Sequence, residues 1–144
     1  MECTVRWVGP QAGMSFIGES GTNHAVLMDG APEAGGRNLG PRPMEMVLIG
    51  TGGCTAFDVV MILQKGRQAV SDCVVKLSAI RAETDPKVFT SIHFHFVVSG
   101  NKLSEASVER AVKLSHEKYC SASIMLAHSV NMTHSFEIID TAQA

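Results

Sequence analysis

The 144-residue sequence is poor in charged and aromatic side chains, which make up 18% and 6% of it. The net charge is −2 and the basic residues are scattered, so neither nucleic acid nor an anionic membrane is expected as a partner. None of the four cysteine residues has CxxC spacing, which argues against a zinc finger or a thioredoxin-type motif. No GxGxxG or GxxxxGK[ST] phosphate motif occurs either, and no cofactor is expected.

The length of the chain predicts a single domain, residues 1–144, that buries about two-thirds of its unfolded surface. We find no secretory-type start and no uninterrupted apolar run long enough to cross a bilayer, which predicts a cytoplasmic protein without a membrane partner. In that compartment the cysteine residues are expected as thiols rather than as structural disulfides.

The first part of the chain reads as a small antiparallel meander followed by a loop. Alternating apolar and polar residues between turn sequences predict strands at 3–8, 14–19 and 24–28. Residues 29–43 then hold four glycines and three prolines, which predicts a long loop of the kind that often contacts a partner or a ligand.

A helix is predicted from Pro43 to about Lys65, with Gly66 as its stop signal. Its apolar residues lie nearly all round it: Val47, Leu48, Ile49, Ala56, Phe57, Val59, Val60, Ile62 and Leu63. Such a pattern indicates a buried helix. One domain of this size can hardly surround it, so a homodimer is expected to do so.

The remainder predicts strands at 70–83 and 88–99, helices at 104–119 and 121–128, and a strand at 130–139. In the second of these strands, Ile92, Phe94 and Phe96 share one face, and His93 and His95 share the other. The element order βββ-α-ββ-α-α-β predicts an α+β fold, with antiparallel sheets packed on the long central helix.

Two cysteines sit where the predicted helices are interrupted. Cys54 follows Gly52 and Gly53, and Cys120 opens a helix whose N–H groups and dipole would lower the pKa of a thiol. The pair is a candidate for an attacking and a resolving thiol, although buried cysteine also serves simply as a small apolar residue. Cys3 and Cys73, in predicted strands, are assigned to packing.

Histidines offer weaker candidates. His93 and His95 have a spacing that some metal sites use, but no further ligand lies nearby in sequence, so an exposed sheet face without metal is expected. His116 and His128 flank Cys120 and could act as bases, but by position they read as surface histidines.

Two segments resemble a known family. Pro43-Met44-Glu45-Met46-Val47-Leu48-Ile49-Gly50-Thr51-Gly52-Gly53-Cys54 and the later Tyr119-Cys120-Ser121 are similar to the OsmC/Ohr family of osmotically induced and organic hydroperoxide resistance proteins. Asp58-Val59-Val60 and Leu63-Gln64-Lys65-Gly66-Arg67 point to its YhfA-type branch. The similarity covers almost the whole chain.

This resemblance implies an OsmC-like intertwined homodimer with thiol peroxidase activity in a stress response. Cys54 would attack the hydroperoxide, Cys120 would resolve the resulting sulfenic acid as a disulfide, and a dithiol reductant would restore both thiols. Glu45 would be the supporting catalytic charge, together with Arg37 or Arg42. An apolar pocket at the attacking thiol is expected to favour organic hydroperoxides over hydrogen peroxide. We assign the lining of this pocket to Phe57, Met61 and Ile124.

An alternative stays open, because the family's peroxidases carry a Glu ten places before the first cysteine and an Arg in the N-terminal sheet. Met44 occupies that tenth place here, and no Arg lies between Gly9 and Gly30. Glu45, nine residues before Cys54, would face about 180° away on an ideal helix. The alternative is a non-enzymatic dimer that binds a small hydrophobic ligand.

Overall fold

The structure is a computed structural model, and it describes residues 1–141. These residues form two compact units, Met1–Ile49 and the chain from Gly50 onward. The order of strands and α-helices is βββ-α-ββ-α-α-β, as the sequence predicts. The expectation of a single domain stays a prediction.

The first unit is built on a three-stranded antiparallel sheet of β1 (Cys3–Trp7), β2 (Ser15–Ser20) and β3 (Ala25–Asp29), in the order β1-β2-β3. The meander expected from the alternating pattern is therefore confirmed, with strand ends within one residue of the prediction.

Asp29, at the end of β3, anchors the long loop that follows. Its buried carboxylate accepts hydrogen bonds from the backbone N–H groups of Gly30, Arg37 and Leu39 at 2.8, 3.0 and 3.0 Å. The N–H of Leu39 lowers the pKa of this carboxyl most; burial opposes it, and the N–H groups of Arg37 and Gly30 lower the pKa further. One ionised side chain thus holds three points of a loop that has little regular structure.

Replacing Asp29 should release this loop. We expect Asp29→Asn to speed tryptic cleavage at Arg37, because a neutral amide binds backbone N–H groups less strongly than a carboxylate does. In the wild type, the stabilisation should be lost as the pH falls through the lowered pKa. Cleavage followed by mass spectrometry measures the effect. Glu33→Gln, an exposed change in the same loop, is the control; equal cleavage in both variants would contradict the role of Asp29.

Helix α1 runs without interruption from Pro43 to Lys65, as predicted. In the single chain α1 is only partly buried, since Phe57 is 68% exposed and Ile49 56% exposed, which agrees with the expectation that one domain of this size can hardly surround it. Its buried residues are Thr51, Gly52, Thr55, Asp58, Val59 and Leu63, of which several are small or polar. Close packing thus selects small residues as well as apolar ones. A Cβ on Gly52 would lie 2.7 Å from Leu77 Cδ1.

By length and composition alone α1 could also cross a membrane, although Glu45 and Asp58 interrupt its apolar residues. The core helix of a soluble protein meets the same criteria. Gly50, Gly52, Gly53 and Asp58, which lie in its middle, are consistent with a core helix.

The second unit contains a mixed sheet of β4 (Ala69–Arg81), β5 (Phe89–Asn101) and β6 (Asn131–Asp140), in that order. The pair β4–β5 is antiparallel, but β6 runs parallel to β5. The expectation of antiparallel sheets is therefore wrong for β6. The connection from β5 to β6 contains two helices and so is long enough for a parallel crossover.

The core of this unit lies between the sheet and its crossover helices, α2 (Glu105–Leu114) and α3 (Ser121–Leu126). The predicted face of β5 is confirmed, because Ile92, Phe94 and Phe96 are fully buried. From α2, Val108, Ala111 and Val112 are also fully buried. Ser104 caps α2, its side chain accepting the N–H of Ser107.

Candidate functional site

The fold brings Cys54 and Cys120 together. Cys54 Sγ, Cys120 Sγ and a carboxylate oxygen of Asp58 all lie within 4.8 Å of one another. Cys120 and Asp58 are buried, and Cys54 is partly exposed. Cys73 lies in β4 and Cys3 in β1, and neither belongs to this cluster. Two thiols that are 66 positions apart in the sequence thus face one another beside a carboxylate.

Cys54 is positioned by an unbroken helix, so the expectation that it marks a helix interruption is wrong. The glycines before it thin α1 rather than break it. Gly52 allows Leu77 of β4 to approach the helix, whereas a Cβ on Gly53 would meet no atom within 4 Å. Beside Cys54, the helix therefore packs against β4 at Gly52 and has open space at Gly53.

Cys120 is positioned by a change in helix type. After α2, residues Ser115–Tyr119 form a π-helical turn, which ends where the N–H of Cys120 donates to Ser115 O at 2.8 Å. Cys120 is then the N-cap of α3, and its Sγ accepts the N–H of Ser123 at 3.4 Å. Single π-helical turns frequently accompany functional sites. The prediction that Cys120 lies between two helical segments is confirmed.

Buried hydroxyl groups join the two cysteine-bearing segments. Thr55 Oγ1 and Ser115 Oγ are 2.7 Å apart, and Ser115 Oγ donates to Asp58 Oδ2 at 3.2 Å. With the Ser115 proton directed to Asp58, Thr55 is the donor to Ser115. Asp58 is 8% exposed and both hydroxyl-bearing residues are buried. This chain of hydrogen bonds fixes α1 against the π-helical turn.

The electrostatic setting of Cys120 differs from the expectation. Burial raises the pKa of its thiol most; the side-chain and backbone hydrogen bonds of Ser123 lower the pKa, and the neighbouring Cys54 raises it. The net direction is upward: the N–H at the start of α3 lowers this pKa, as predicted, but burial outweighs it. A thiol with these properties suits a resolving role better than an attacking one.

Glu45 lies in the first unit, in the first turn of α1. Its Oε2 accepts the N–H of Arg42 at 2.8 Å, the contact that a glutamate makes to the N-cap residue three positions earlier. The N–H of Arg37 is held by Asp29. Glu45 thus has a clear structural use at the helix start, and its assignment as a catalytic charge, with Arg37 or Arg42, stays a prediction.

His93 and His95 share a polar face of the second sheet with β6. His93 bonds Thr133 and Ser135 through its two ring nitrogens, at 2.7 and 2.9 Å. His95 bonds Ser135 at 2.9 Å and Glu137 at 3.3 Å. Among residues 1–141, the cluster of ligand-type side chains that could hold a metal is Cys54, Asp58 and Cys120, and neither of these histidines belongs to it.

His116 is not the surface histidine that its position suggested. It packs edge-on against Phe94 and Phe96, at ring-centroid distances of 4.8 and 5.9 Å, and stacks on His134 at 4.9 Å. Its buried Nε2 has no hydrogen-bond partner among the described residues. Burial, and secondarily the charge of His134, lower the pKa of His116 to about 4. The ring is therefore neutral near pH 7.

The free energy of unfolding should fall as the pH drops from about 6.5 to 4. In this range His116 binds a proton in the unfolded chain but stays neutral in the folded one. Solvent screens part of the effect at this half-buried ring, and we expect a loss of about 1–2 kcal/mol. His116→Phe should flatten this part of the pH profile, measured by urea unfolding. His128→Gln, at an exposed position, should not; a profile unchanged in His116→Phe would refute the assignment.

An open apolar groove of about 440 Å³ runs along α1, lined by Gly53, Ala56, Phe57, Val60, Met61 and Gln64. It contains two of the three residues that the sequence assigned to an apolar pocket, and Ile124 is not among its lining residues. Gly53, which adjoins Cys54, forms part of its wall.

Asp58 is the residue of the cluster that the sequence analysis did not select. The spacing of Cys54 and Asp58, i and i+4 on one helix, places both on the same face and could have revealed it. What the sequence does not show is that this face is turned toward Cys120.

The chain belongs to the OsmC-like protein family, whose model matches residues 35–135. It is 52% identical to Protein YhfA of Escherichia coli K12 over 139 residues, which are 96% of this chain and 98% of that protein. The resemblance to the family and to its YhfA-type branch is thereby confirmed.

Solved structures agree with this placement. A hypothetical protein from Aquifex aeolicus VF5 is 33% identical, with a TM-score of 0.81 over 96% of this chain and 95% of that one. An organic hydroperoxide resistance protein OsmC from Legionella pneumophila is 16% identical, with a TM-score of 0.68 over 95% and 97% of the two chains. At that identity the second match shows the fold alone.

Proposed function

We propose that this protein is a thiol-dependent peroxidase that reduces organic hydroperoxides in the cytoplasm through a disulfide cycle between Cys54 and Cys120. The observation that carries the proposal is the approach of the two sulfur atoms to within 4.8 Å. A disulfide requires about 2.05 Å between the sulfurs, so the two thiols must close further for the bond to form.

The different exposure of the two thiols supports different roles for them. Cys54 is partly exposed and adjoins the open side of α1, so a hydroperoxide can reach it. Cys120 is fully buried, and the raised pKa of its thiol makes it a poor first nucleophile. Cys54 therefore attacks and Cys120 resolves.

The cycle has three balanced steps. The Cys54 thiolate attacks the terminal oxygen of ROOH, the O–O bond breaks, and the alkoxide takes a proton and leaves as ROH. Cys120 then attacks the sulfur of the Cys54 sulfenic acid, forming the disulfide and releasing water. A dithiol reductant finally exchanges with the disulfide, regenerating both thiols as it is oxidised to its own disulfide.

The groove beside Cys54 supports an apolar substrate. Its walls come from Ala56, Phe57, Val60 and Met61. These apolar walls can contact the hydrocarbon chain of an organic hydroperoxide, whereas hydrogen peroxide has no such chain. The organic hydroperoxide resistance protein that shares the fold agrees with this substrate class.

Adding one equivalent of cumene hydroperoxide to reduced, chelator-treated protein should form a Cys54–Cys120 disulfide, mapped by mass spectrometry. We expect Cys54→Ser to abolish peroxide consumption, because serine lacks the polarizable thiolate. Cys120→Ser should leave a sulfenic acid on Cys54 that dimedone traps.

The matched control is Cys73→Ser, which removes a β4 thiol whose pKa burial and Asp72 raise to about 11. It should consume peroxide as the wild type does. Unchanged thiols in the wild type would sink the peroxidase and favour the alternative, a non-enzymatic member that binds a small hydrophobic ligand in the groove.

The same proposal includes a homodimer formed over the exposed face of α1. Phe57 is 68% exposed on a helix that is rich in apolar residues. Exposed apolar side chains of this kind indicate a surface that another protein surface covers. A second copy of the chain offers the same apolar face, as a two-fold interface requires. The groove would then be enclosed where the two copies meet.

Phe57→Glu should weaken dimerisation by at least about tenfold, or about 1.4 kcal/mol, because it places a charge in the centre of this surface. Sedimentation equilibrium measures the change. Ile80→Glu is a control of similar exposure, since Ile80 is 66% exposed on β4. A monomeric wild type, or equal dissociation of both variants, would contradict this interface.

A further inference from the structure

Asp58 has no part in the disulfide cycle, yet it shares one small space with both sulfurs. The Asp58 carboxylate is nearly buried, with the residue 8% exposed, and a hydrogen bond from Ser115 orients it. Two thiols and a carboxylate repel one another when they are ionised together, unless a cation lies among them. Among the described residues of the second unit, no lysine or arginine forms an ion pair with Asp58.

We propose that Cys54, Asp58 and Cys120 bind a thiophilic divalent cation of the Zn²⁺ type when both cysteines are reduced. Two thiolate sulfurs and one carboxylate oxygen are a donor set that suits zinc. Three protein ligands leave the fourth tetrahedral position to water or to an exogenous ligand.

The distances suit such an ion. Tetrahedral zinc, with Zn–S of about 2.3 Å and Zn–O of about 2.1 Å, separates two sulfurs by about 3.8 Å and a sulfur from the oxygen by about 3.6 Å. The three donor atoms already lie within 4.8 Å of one another, so no pair needs to close by more than about 1.2 Å.

The surroundings hold the donor atoms as those of metal sites do. Ser115 donates to Asp58 Oδ2 at 3.2 Å and is itself held by Thr55, while the N–H of Ser123 lies 3.4 Å from Cys120 Sγ. Such hydrogen bonds orient ligands and tune their affinity for the ion. The partly exposed Cys54, beside the open Gly53, supplies a path for the ion to enter.

Binding releases the two thiol protons to solvent and leaves both sulfurs as metal thiolates, without any change in oxidation state. The disulfide uses the same two sulfurs, so the metal and the disulfide exclude one another. The site does not depend on peroxidase activity, because it needs reduced thiols and no hydroperoxide.

The test is titration of reduced, metal-free protein with Co²⁺, in the absence of peroxide. We expect one equivalent per chain, with a sulfur-to-cobalt charge-transfer band and the intense visible bands of tetrahedral cobalt. Zn²⁺ should then displace the cobalt, and competition with a chromophoric chelator gives the zinc affinity.

Asp58→Asn should lower that affinity by at least about tenfold, the lower bound for loss of an outer-shell partner. Cys54→Ser should weaken the charge-transfer band as one thiolate is lost. Cys54 is partly exposed, so this variant is expected to fold even if a change at the buried Cys120 does not. Cys73→Ser and Cys3→Ser, outside the cluster, are the controls and should bind as the wild type does.

Absence of the charge-transfer band in the wild type would overturn the proposal, and so would a band that persists at full strength in Cys54→Ser. If Asp58→Asn left the affinity for zinc unchanged, the Asp58 carboxylate would not be a ligand, and the proposal of three protein ligands would be overturned. Disulfide formation is measured separately, in chelator, so the metal site and the peroxidase can fail independently.

Discussion

The buried hydrogen bonds from Thr55 to Ser115 and from Ser115 to Asp58 are the contacts on which the candidate site depends. They join residues about 60 positions apart and set the distance between α1 and the π-helical turn. Cys54 and Cys120 extend from those same two segments. If these hydroxyl contacts were lost, two buried polar groups and a carboxylate would be left without partners, at a cost of about 1–3 kcal/mol each.

The π-helical turn adds a second constraint. An ordinary continuation of α2 would direct the N–H of Cys120 to His116 O, but the wider turn directs it to Ser115 O. This shift ends the helix so that Cys120 becomes the N-cap of α3 with its sulfur turned inward. The buried position of the second thiol thus follows from one extra residue in one turn.

Much of the fold could be read from the sequence, because local patterns determine it. Alternation along β5 predicted that Phe94 would be buried and His93 would not, and the glycine after Lys65 marked the end of α1. The parallel placement of β6 could not be read, because residues 131–140 pair in register with a strand about 40 positions away, and this depends on the course of the whole crossover.

The face of α1 that packs within the single chain could not be read from the sequence for a related reason. The sequence shows which residues of α1 are apolar. The face of α1 that packs in the second unit is instead set by how closely β4 can approach Gly52. That close approach favours small residues, and it leaves the oily Phe57 outside. The family resemblance supplied the pairing of the two cysteines, and the i, i+4 spacing placed Asp58 on the face of Cys54. The approach of Asp58 to Cys120 emerged only from the side-chain positions.

Asp58 therefore relates the two proposed chemistries of the site to one another. A disulfide between Cys54 and Cys120 is neutral and gains nothing from a neighbouring carboxylate, whereas a cation bound by both thiolates gains a third anionic ligand from it. The carboxylate thus favours the reduced, metal-bound state over the oxidised one. Because a metal bound to the thiols withholds them from hydroperoxide, the occupancy of the site would control how readily the thiols are oxidised. Under these two proposals, Asp58, which the peroxide chemistry does not need, would link thiol oxidation to metal supply.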